Sequence, residues 1–318
     1  MSPHIAIDRE FPIQSSFSAS SPIPKCSVDW KLSQNEFEPL VFNYATTTGY
    51  AGLENLGIKA PLDAVRRLFD HLYANPSIME KLNRIYPSRG IVKNASMTKL
   101  EKEGIKIDRK VPFDLSYDRI KVLEKHPGLF EQLGDDFPIL LDFYSRIEQE
   151  VLPRLFDCLS STIGCDMKAL HSDKNFNFRV IDYFPKLKSN DARCGEHRDY
   201  GSFTLIFQDE IGGLEVLDSS GSWVSLNAPV VLMWGWCASL LSNDKIVPAL
   251  HRVIDPDATR SIYVPRRNTA VVFVAPNKNV ELHVGKIAPE EVSGANTVTV
   301  SGLKEFIAEA WRQREGSN

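Results

Sequence analysis

Two histidines and one aspartate are the residues of this sequence best suited to chemistry. His197 and Asp199 lie two residues apart, and His251 lies in a later segment. Residues two apart on a β-strand point to the same side, so His197 and Asp199 would face one pocket, to which His251 returns on another strand. Two imidazoles and one carboxylate can bind one face of a divalent metal ion and leave the other face open. Each residue alone is more often an ordinary core or surface group, so the metal site is predicted from the set.

A second candidate site begins at Arg267, where a strongly apolar segment starts. By strand alternation Arg267, Thr269, Phe273 and Ala275 share one face. An arginine that faces an apolar interior is unfavourable unless it meets an anion. Its planar guanidinium suits a carboxylate, and the Thr269 hydroxyl would add a third donor. The alternative is a solvated arginine at the mouth of a strand.

Composition limits the class of protein. The chain has 318 residues, 43% of them hydrophobic, with a net charge of −4 and an isoelectric point near 6.0. This near balance disfavours a nucleic-acid partner. The odd number of cysteines, five, predicts reduced thiols, and the longest apolar run, 230–241, is too short to cross a bilayer. The first residues do not resemble a secretory signal. We therefore expect a cytoplasmic protein, without membrane association, that acts on small molecules as a monomer.

The texture of the sequence changes along the chain. Residues 1–35 are predicted to form an N-terminal arm, 36–170 a mainly helical region, and 171–318 a β-rich domain that ends in a helix. Short β-branched and aromatic segments, separated by turn residues, predict an antiparallel core in the last region. The predicted strands are 176–184, 203–207, 214–217, 230–233 and 269–274.

Helical periodicity marks three further places. A helix is predicted from about Leu62, and a longer one from about Pro138 that should kink or split at Pro153. Between them, residues 88–118 are polar and predicted to be irregular. Ser301 is predicted to cap a C-terminal helix. Its apolar face would consist of Leu303, Phe306, Ile307, Ala310 and Trp311.

In their order along the chain, these motifs resemble the isopenicillin N synthase-like family of iron(II)/2-oxoglutarate-dependent dioxygenases. The resemblance covers most of the sequence and rests on residues 49–58, 182–185, 197–201, 213–216, 223–224, 241–243, 251–253 and 267–269. It implies an α+β fold with a double-stranded β-helix core, of the jelly-roll or cupin-like type, on which a helical N-terminal region packs.

The resemblance also implies a ligand set and a reaction. Fe(II) would be held by His197, Asp199 and His251. The co-substrate 2-oxoglutarate would place its distal carboxylate on Arg267 and Thr269. With O2, it would be split into succinate and CO2 while a substrate C–H bond is oxidised, and ascorbate would support the iron. Hydroxylation, desaturation, cyclisation and ring rearrangement stay open. The Asp199 carboxylate disfavours halogenation, since iron halogenases lack it.

The sequence departs from the family pattern in places. Asp182 and Phe184 stand at the strand end expected beside the co-substrate, and Phe184 replaces a tyrosine that many members use to hold it. One hydrogen bond would then be missing. Thr269 replaces the usual serine but keeps the hydroxyl. Trp236 follows Gly235 where an aspartate is usual.

The substrate side is less defined. By parity Val180 shares the face of Asp182, and Phe273 and Ala275 extend the face of Arg267, so these residues are candidates for the substrate wall. The same alternation places Arg179 outside the pocket. An aromatic wall favours a flat or hydrophobic specialised metabolite, with an amino acid or peptide as the alternative. Two other functions stay open: an iron oxidase of the same fold that uses no 2-oxoglutarate, and a non-catalytic metal-binding relative.

Overall fold

Two β-sheets form the centre of the molecule, whose computed structural model describes residues 26–86, 110–187, 192–255, 263–286, 288–292 and 294–314. The strands are β1 Ser27–Asp29, β2 Tyr50–Glu54, β3 Lys110–Asp114, β4 Phe176–Tyr183, β5 Lys186–Leu187, β6 Cys194–His197, β7 Phe203–Gln208, β8 Leu214–Leu217, β9 Trp223–Ser225, β10 Val230–Trp234, β11 His251–Val253, β12 Tyr263–Val264, β13 Arg267–Val274, β14 Glu281–His283 and β15 Thr297–Thr299. The larger sheet has the order β1-β2-β10-β7-β13-β4-β3, and the smaller one β6-β11-β8-β9. The pairs β5–β12 and β14–β15 stand apart from both.

Most helices pack on the outer face of the larger sheet, and the last two pack with the β14–β15 pair. They are α1 Gln34–Thr47, α2 Leu62–Ala74, α3 Pro76–Ile85, α4 Tyr117–Glu124, α5 Pro127–Gln132, α6 Asp136–Arg146, a π-helical turn Ile147–Val151, α7 Leu152–Ile163, α8 Met167–Leu170, α9 Trp236–Leu241 and α10 Val300–Arg314. Within the described ranges, none of them combines the length and apolar content needed to cross a membrane.

Alternation along β13 divides the interior into two layers. Val272 and Val274 pack with the helices in one buried cluster, while Val271 and Phe273 belong to a second cluster between the two sheets. Successive side chains of a strand point to opposite faces, so a strand buried on both sides is apolar throughout. The expected α+β class with a jelly-roll core and helices packed on it is confirmed.

Aromatic contacts tie the helical layer to the sheet. The Phe178 ring of β4 stacks on Tyr144 of α6 with centroids 4.4 Å apart, and Phe207 of β7 meets Phe143 edge-on at 5.0 Å. Such offset and edge-to-face pairs add about 0.5–1.5 kcal/mol each beyond the area they bury. The helical layer thereby fixes β4 and β7, two strands that carry site residues on their other face.

Several sequence predictions about elements are confirmed. A helix begins at Leu62, and the predicted long helix is interrupted by the π-helical turn, after which Pro153 lies in the first turn of α7. Pro153 has no amide hydrogen, so it fits where the helical hydrogen bonds restart. The predicted strands agree with β4, β7, β8, β10 and β13 to within a few residues.

Two element predictions are wrong. Residues 110–114 lie in the region predicted to be irregular but form β3, which pairs with β4 along its whole length. Ser301 is not the helix cap, because α10 already begins at Val300. The Thr299 hydroxyl instead accepts a hydrogen bond from the Gly302 amide at 3.1 Å. Residues 88–109 of the region predicted to be irregular lie outside the described part of the chain.

Strands from the N-terminal half belong to the larger sheet. β2 pairs with β10 and with β1, and β3 pairs with β4. The division at residues 35 and 170 stays a prediction, but within the described residues the sheet continues across it.

Candidate metal centre and co-substrate pocket

His197, Asp199 and His251 converge at one end of the space between the sheets. One donor atom from each lies within 4.8 Å of the other two. The Nε2 atoms of His197 and His251 lie 3.7 and 4.0 Å from the carboxylate oxygens of Asp199. His197 ends β6 and is paired directly with His251 of β11. This donor set, two neutral imidazoles and one carboxylate, suits a divalent transition metal and leaves one side open.

Backbone carbonyls orient both imidazoles. The Nδ1 atom of His197 is 2.8 Å from the Gly195 carbonyl, and that of His251 is 3.1 Å from the Ala249 carbonyl. A ring whose Nδ1–H donates to a carbonyl presents the lone pair of Nε2, which is the atom that faces Asp199 in both cases. The local backbone thus selects the tautomer that binds a metal.

Asp199 is positioned by a loop rather than by a strand. It lies beyond the end of β6, so the alternation argument does not apply to it, although its carboxylate does face the histidines. Its Oδ2 accepts a 2.6 Å hydrogen bond from the Thr204 hydroxyl, and its carbonyl oxygen accepts one from the Trp236 amide at 2.9 Å. Asp199 as a whole residue is 7% exposed, so its carboxylate is largely shielded from bulk water.

Gly235 is required by the same loop. A Cβ at this position would stand 2.6 Å from the Asp199 carbonyl oxygen and 2.5 Å from that of Gly201. Any side chain would therefore push the loop away from β10. Trp236 contributes its backbone amide to Asp199, and its ring lies 5.6 Å from the guanidinium carbon of Arg198.

Arg267 and Thr269 form a buried polar pocket on the face of β13 that lies between the two sheets. Each is 1% exposed. The Arg267 Nη2 donates to Gln208 at 3.0 Å, but Arg267 Nε and Nη1 and the Thr269 hydroxyl have no hydrogen-bond partner among the described residues. Buried donors without partners are unfavourable, and these three suit the distal carboxylate of 2-oxoglutarate. The residues present therefore fit the expected co-substrate.

The aromatic side chain next to Arg267 is that of Tyr183, and the side chain of Phe184 lies elsewhere. β13 and β4 pair Arg267 with Tyr183, so these two side chains share a face. The Tyr183 ring lies 4.8 Å below the Arg267 guanidinium carbon. Phe184 packs on the opposite side, in the helical layer, with its ring 6.2 Å from that of Tyr73. The expectation that Phe184 lies beside the co-substrate is wrong by one residue of strand register.

Asp182 and Val180 face away from the pocket for the same reason. Val180 is buried in the helical-layer cluster. The Asp182 carboxylate, also fully buried, accepts hydrogen bonds from the side chains of Tyr73, Arg266 and Asn268 at 2.6 to 3.0 Å. Asp182 therefore neutralises Arg266 and ties β13 to α2. The predictions that Asp182 binds the co-substrate and that Val180 lines the substrate wall are wrong.

Of Phe273 and Ala275, the two substrate-wall candidates that follow Arg267, only Phe273 lies near the candidate metal ligands. Phe273 is half-buried and paired with Thr204, whose hydroxyl holds Asp199. Ala275 lies beyond the end of β13 and is buried in a third cluster with Leu240 and Leu282. Its assignment to the substrate wall is corrected accordingly.

A second buried arginine, Arg193, adjoins the co-substrate pocket and was not predicted. Its Nη2 donates to the Phe184 carbonyl, and its guanidinium carbon lies 5.5 Å from the Tyr183 ring. Burial lowers the pKa of Arg193, and the charge of Arg267 lowers it further, against the opposing effect of Asp255. The pairing of β6 with β11 shifts register between His251 and Val253, so simple alternation could not have placed Arg193.

Alternation also misplaced Arg179. It pairs with Val271 of β13, whose side chain lies between the sheets, so Arg179 faces inward. The error arose because the opposite face of β4 had been assigned to the pocket. Arg260 is the alternative to Arg267, since it lies closer in sequence to His251. Its second neighbour is Ile262 and not a hydroxyl residue, however, and Arg260 lies outside the described residues.

Comparisons with known proteins agree with this geometry. The profile of the 2OG-Fe(II) oxygenase superfamily matches residues 175–276. The 2-oxoglutarate-Fe(II) type oxidoreductase ppzD of Metarhizium rileyi is 28% identical over 52% of this chain and 51% of its own length. The scopoletin 8-hydroxylase of Arabidopsis thaliana is 25% identical over 91% of this chain and 78% of its own. The chain spans about half the length of the first curated relatives it matches.

A solved structure shares the fold. The full-length Neurospora crassa protein crystallised with alpha-KG (2-oxoglutarate) is 20% identical, with a TM-score of 0.65 over 89% of this chain and 94% of its own. The sequence profile, the jelly-roll core and the His-Asp-His cluster agree, and the expected use of Fe(II) with 2-oxoglutarate agrees with all three. Residues 175–276, the segment that contains His197, Asp199, His251 and Arg267, match the 2OG-Fe(II) oxygenase superfamily.

Proposed function

We propose that this chain is an Fe(II)/2-oxoglutarate-dependent dioxygenase that oxidises a small molecule, with release of succinate and CO2. The observation that carries the proposal is a His-Asp-His cluster together with buried Arg267 and Thr269 donors that have no hydrogen-bond partner among the described residues. When bound, the metal and 2-oxoglutarate supply the oxidising chemistry that amino-acid side chains lack.

The side chains then have separate tasks. His197, Asp199 and His251 hold the metal and stay unprotonated at the atoms that face it. Arg267 and Thr269 orient the co-substrate carboxylate, and Gln208 fixes the Arg267 fork by accepting from its Nη2. Tyr183 and Arg193 extend this polar pocket. Phe273, nearer the metal, provides an apolar wall for the substrate.

The test is succinate formation by the Fe(II)-loaded chain supplied with 2-oxoglutarate, O2 and ascorbate, with and without a panel of small molecules. We expect slow succinate release alone, faster release with a substrate, and a product whose mass rises by one oxygen or falls by two hydrogens. No succinate under any condition would contradict the proposal. Product formed equally well without 2-oxoglutarate would identify an oxidase of the same fold.

We further propose that the protein works as a cytoplasmic monomer on a specialised metabolite. The five free cysteines and the near-neutral charge support a reducing compartment and a small-molecule partner. Light scattering of the purified chain and fractionation of the producing cell would test the two statements separately.

A further inference from the structure

The substrate side of the pocket holds a group of cations around one buried carboxylate. The Asp114 carboxylate, 7% exposed, accepts from Arg179 Nε at 2.5 Å and Nη2 at 3.1 Å, and it pairs with Arg119 Nη1 at 2.7 Å. Asn177 donates to the same carboxylate at 3.2 Å. Asp114 thereby orients both guanidinium groups, Arg179 through two of its nitrogens and Arg119 through one.

A third cation reaches the same region from the C-terminal helix. The Lys304 amine of α10 lies 5.4 Å from the Tyr200 ring, next to the metal ligand Asp199. Desolvation lowers the pKa of Lys304, and the charges of Lys278, Arg119 and Arg179 lower it further. The Lys304 side chain is nevertheless solvent-accessible, whereas Asp114 and Arg119 are buried. Lys278 is itself paired with Asp118 at 3.3 Å.

Arg179 connects this cationic group to the metal centre. Its guanidinium carbon lies 5.3 Å from the Phe273 ring. Phe273 is paired with Thr204, which donates to Asp199. The Arg179 edge formed by Nε and Nη2 is occupied by Asp114, but its Nη1 has no hydrogen-bond partner among the described residues. The side chain is 29% exposed, so a ligand can reach that nitrogen.

We propose that the substrate is a small organic carboxylate whose carboxyl group binds Arg179 and whose apolar part lies against Phe273. A guanidinium can accept a second carboxylate on its free edge while the first stays in place. An anchor at Arg179 fixes one end of the molecule and leaves a more distant C–H bond at the metal. This inference rests on the proposed function and narrows its substrate class. The co-substrate is excluded from this place by its own pocket at Arg267, on the far side of Thr269 along β13.

The test compares acids with their neutral analogues. Aromatic and aliphatic monocarboxylic acids, each matched with its methyl ester and primary amide, are titrated by calorimetry into the metal-loaded chain with 2-oxoglutarate bound. We expect at least one acid to bind tenfold more tightly than its ester and amide. Arg179→Gln should remove that preference, and Arg179→Lys should restore part of it.

Matched controls separate a substrate anchor from a structural ion pair. Arg67→Gln removes an arginine that is also paired with a carboxylate, Asp136, but on the surface, and should keep the acid preference. Lys304→Gln, at an accessible position, should weaken acid binding severalfold. The affinity for 2-oxoglutarate should change less than twofold in Arg179→Gln, in which Asp114 keeps Arg119 as a partner.

Several results would overturn the inference. They are equal binding of acids and neutral analogues by the unmodified chain, no binding of any acid at millimolar concentration, and unchanged acid preference in Arg179→Gln. Should Arg179→Gln not fold, the comparison of acids with esters and the Lys304→Gln variant still decide. Succinate formation with a preference for neutral ligands would refute the inference alone, whereas acid binding without 2-oxoglutarate turnover would refute the proposed function alone.

Discussion

At the scale of single residues, the candidate metal centre consists of three side chains, which come from strand β6, the loop after it and strand β11. We expect His197→Ala, Asp199→Ala and His251→Ala each to abolish succinate formation, because two ligands cannot hold the metal well. The surrounding sheets should survive, since the core between them is apolar. Circular dichroism and thermal melting check the fold. His283→Ala, at an exposed position of β14, is the matched control and should keep full activity.

Arg267 should control the affinity for 2-oxoglutarate. Loss of a buried charge-assisted pair at one end typically costs about 2–5 kcal/mol. Arg267→Ala should therefore raise the 2-oxoglutarate concentration needed for half-maximal succinate formation by well over an order of magnitude. Arg260→Ala should change it much less, and the opposite ranking would show that the wrong arginine had been assigned.

Tyr183 and Phe184 give a sharp test of strand register. If the Tyr183 hydroxyl donates to the co-substrate, Tyr183→Phe should weaken 2-oxoglutarate binding by about 0.5–1.5 kcal/mol, the net value of one hydrogen bond. Phe184→Tyr should give no gain, because its ring lies in the helical layer. Calorimetric titration with 2-oxoglutarate measures both. A tighter complex in Phe184→Tyr would contradict the register described here.

Residues whose types are chemically unusual could be identified from the sequence. Residues whose role depends on which face of a strand they occupy could not. A His-x-Asp pair with a distant histidine, or an arginine before an apolar strand, stands out by type alone. The assignment of Val180, Asp182 and Phe184 depended on which face of β4 points inward, which an apolar strand buried on both faces does not reveal. Asn177 and Arg179 alternate with apolar residues at the start of that strand, whereas Asp182 has the opposite parity, and Arg179 points toward the site.

At the scale of elements, α8 and the start of β7 are joined by a buried histidine. His171 is 2% exposed, with Nδ1 2.6 Å from the Met167 carbonyl and Nε2 3.0 Å from the Ser202 hydroxyl. Desolvation lowers its pKa to about 4. Ser202 follows the Asp199 loop directly, so the hydrogen bond between His171 and Ser202 helps to hold the loop that carries this candidate metal ligand.

The depressed pKa of His171 predicts loss of stability in acid. An unfolded histidine titrates near 6.5, so between about pH 6.5 and pH 4 the unfolded chain binds a proton that the folded chain does not. The free energy of unfolding should fall by about 3 kcal/mol across that window from this group alone, at about 1.4 kcal/mol per pKa unit. Urea denaturation at several pH values measures it. His171→Phe should show a shallower pH dependence, and the exposed His283→Ala should not.

Elements were predicted best where periodicity ran long. The helix at Leu62 and the strands after residue 175 have unambiguous patterns. β3 was missed because Lys110–Asp114 contains a proline and charged ends, and its strand character comes from pairing with β4 at the sheet edge. Tertiary pairing, not local propensity, makes it a strand.

At the scale of the whole molecule, the sheet depends on both halves of the chain. β2 covers one side of β10, and β3 covers one side of β4. A shortened chain that begins at residue 171 would expose both edges, and unpaired edges promote association between chains. We expect it to aggregate or to elute as large oligomers in size-exclusion chromatography.

The matched control for that experiment is a chain that begins at residue 26. It keeps every described strand and should elute and melt like the full chain. A folded, monomeric product from the 171 start would show instead that the β-rich region is an independent domain, as the sequence boundaries suggest.

The contact between Gly235 and the Asp199 loop bears on how motifs in such sequences should be read. With carbonyl oxygens only 2.5 and 2.6 Å from a would-be Cβ, the position tolerates a hydrogen atom and nothing larger. The amide of the next residue, Trp236, donates to the Asp199 carbonyl oxygen, and a backbone amide can form that bond with any side chain other than proline. A motif search that weights both letters of this dipeptide equally would therefore reject competent sequences. One that requires the glycine alone would retain them.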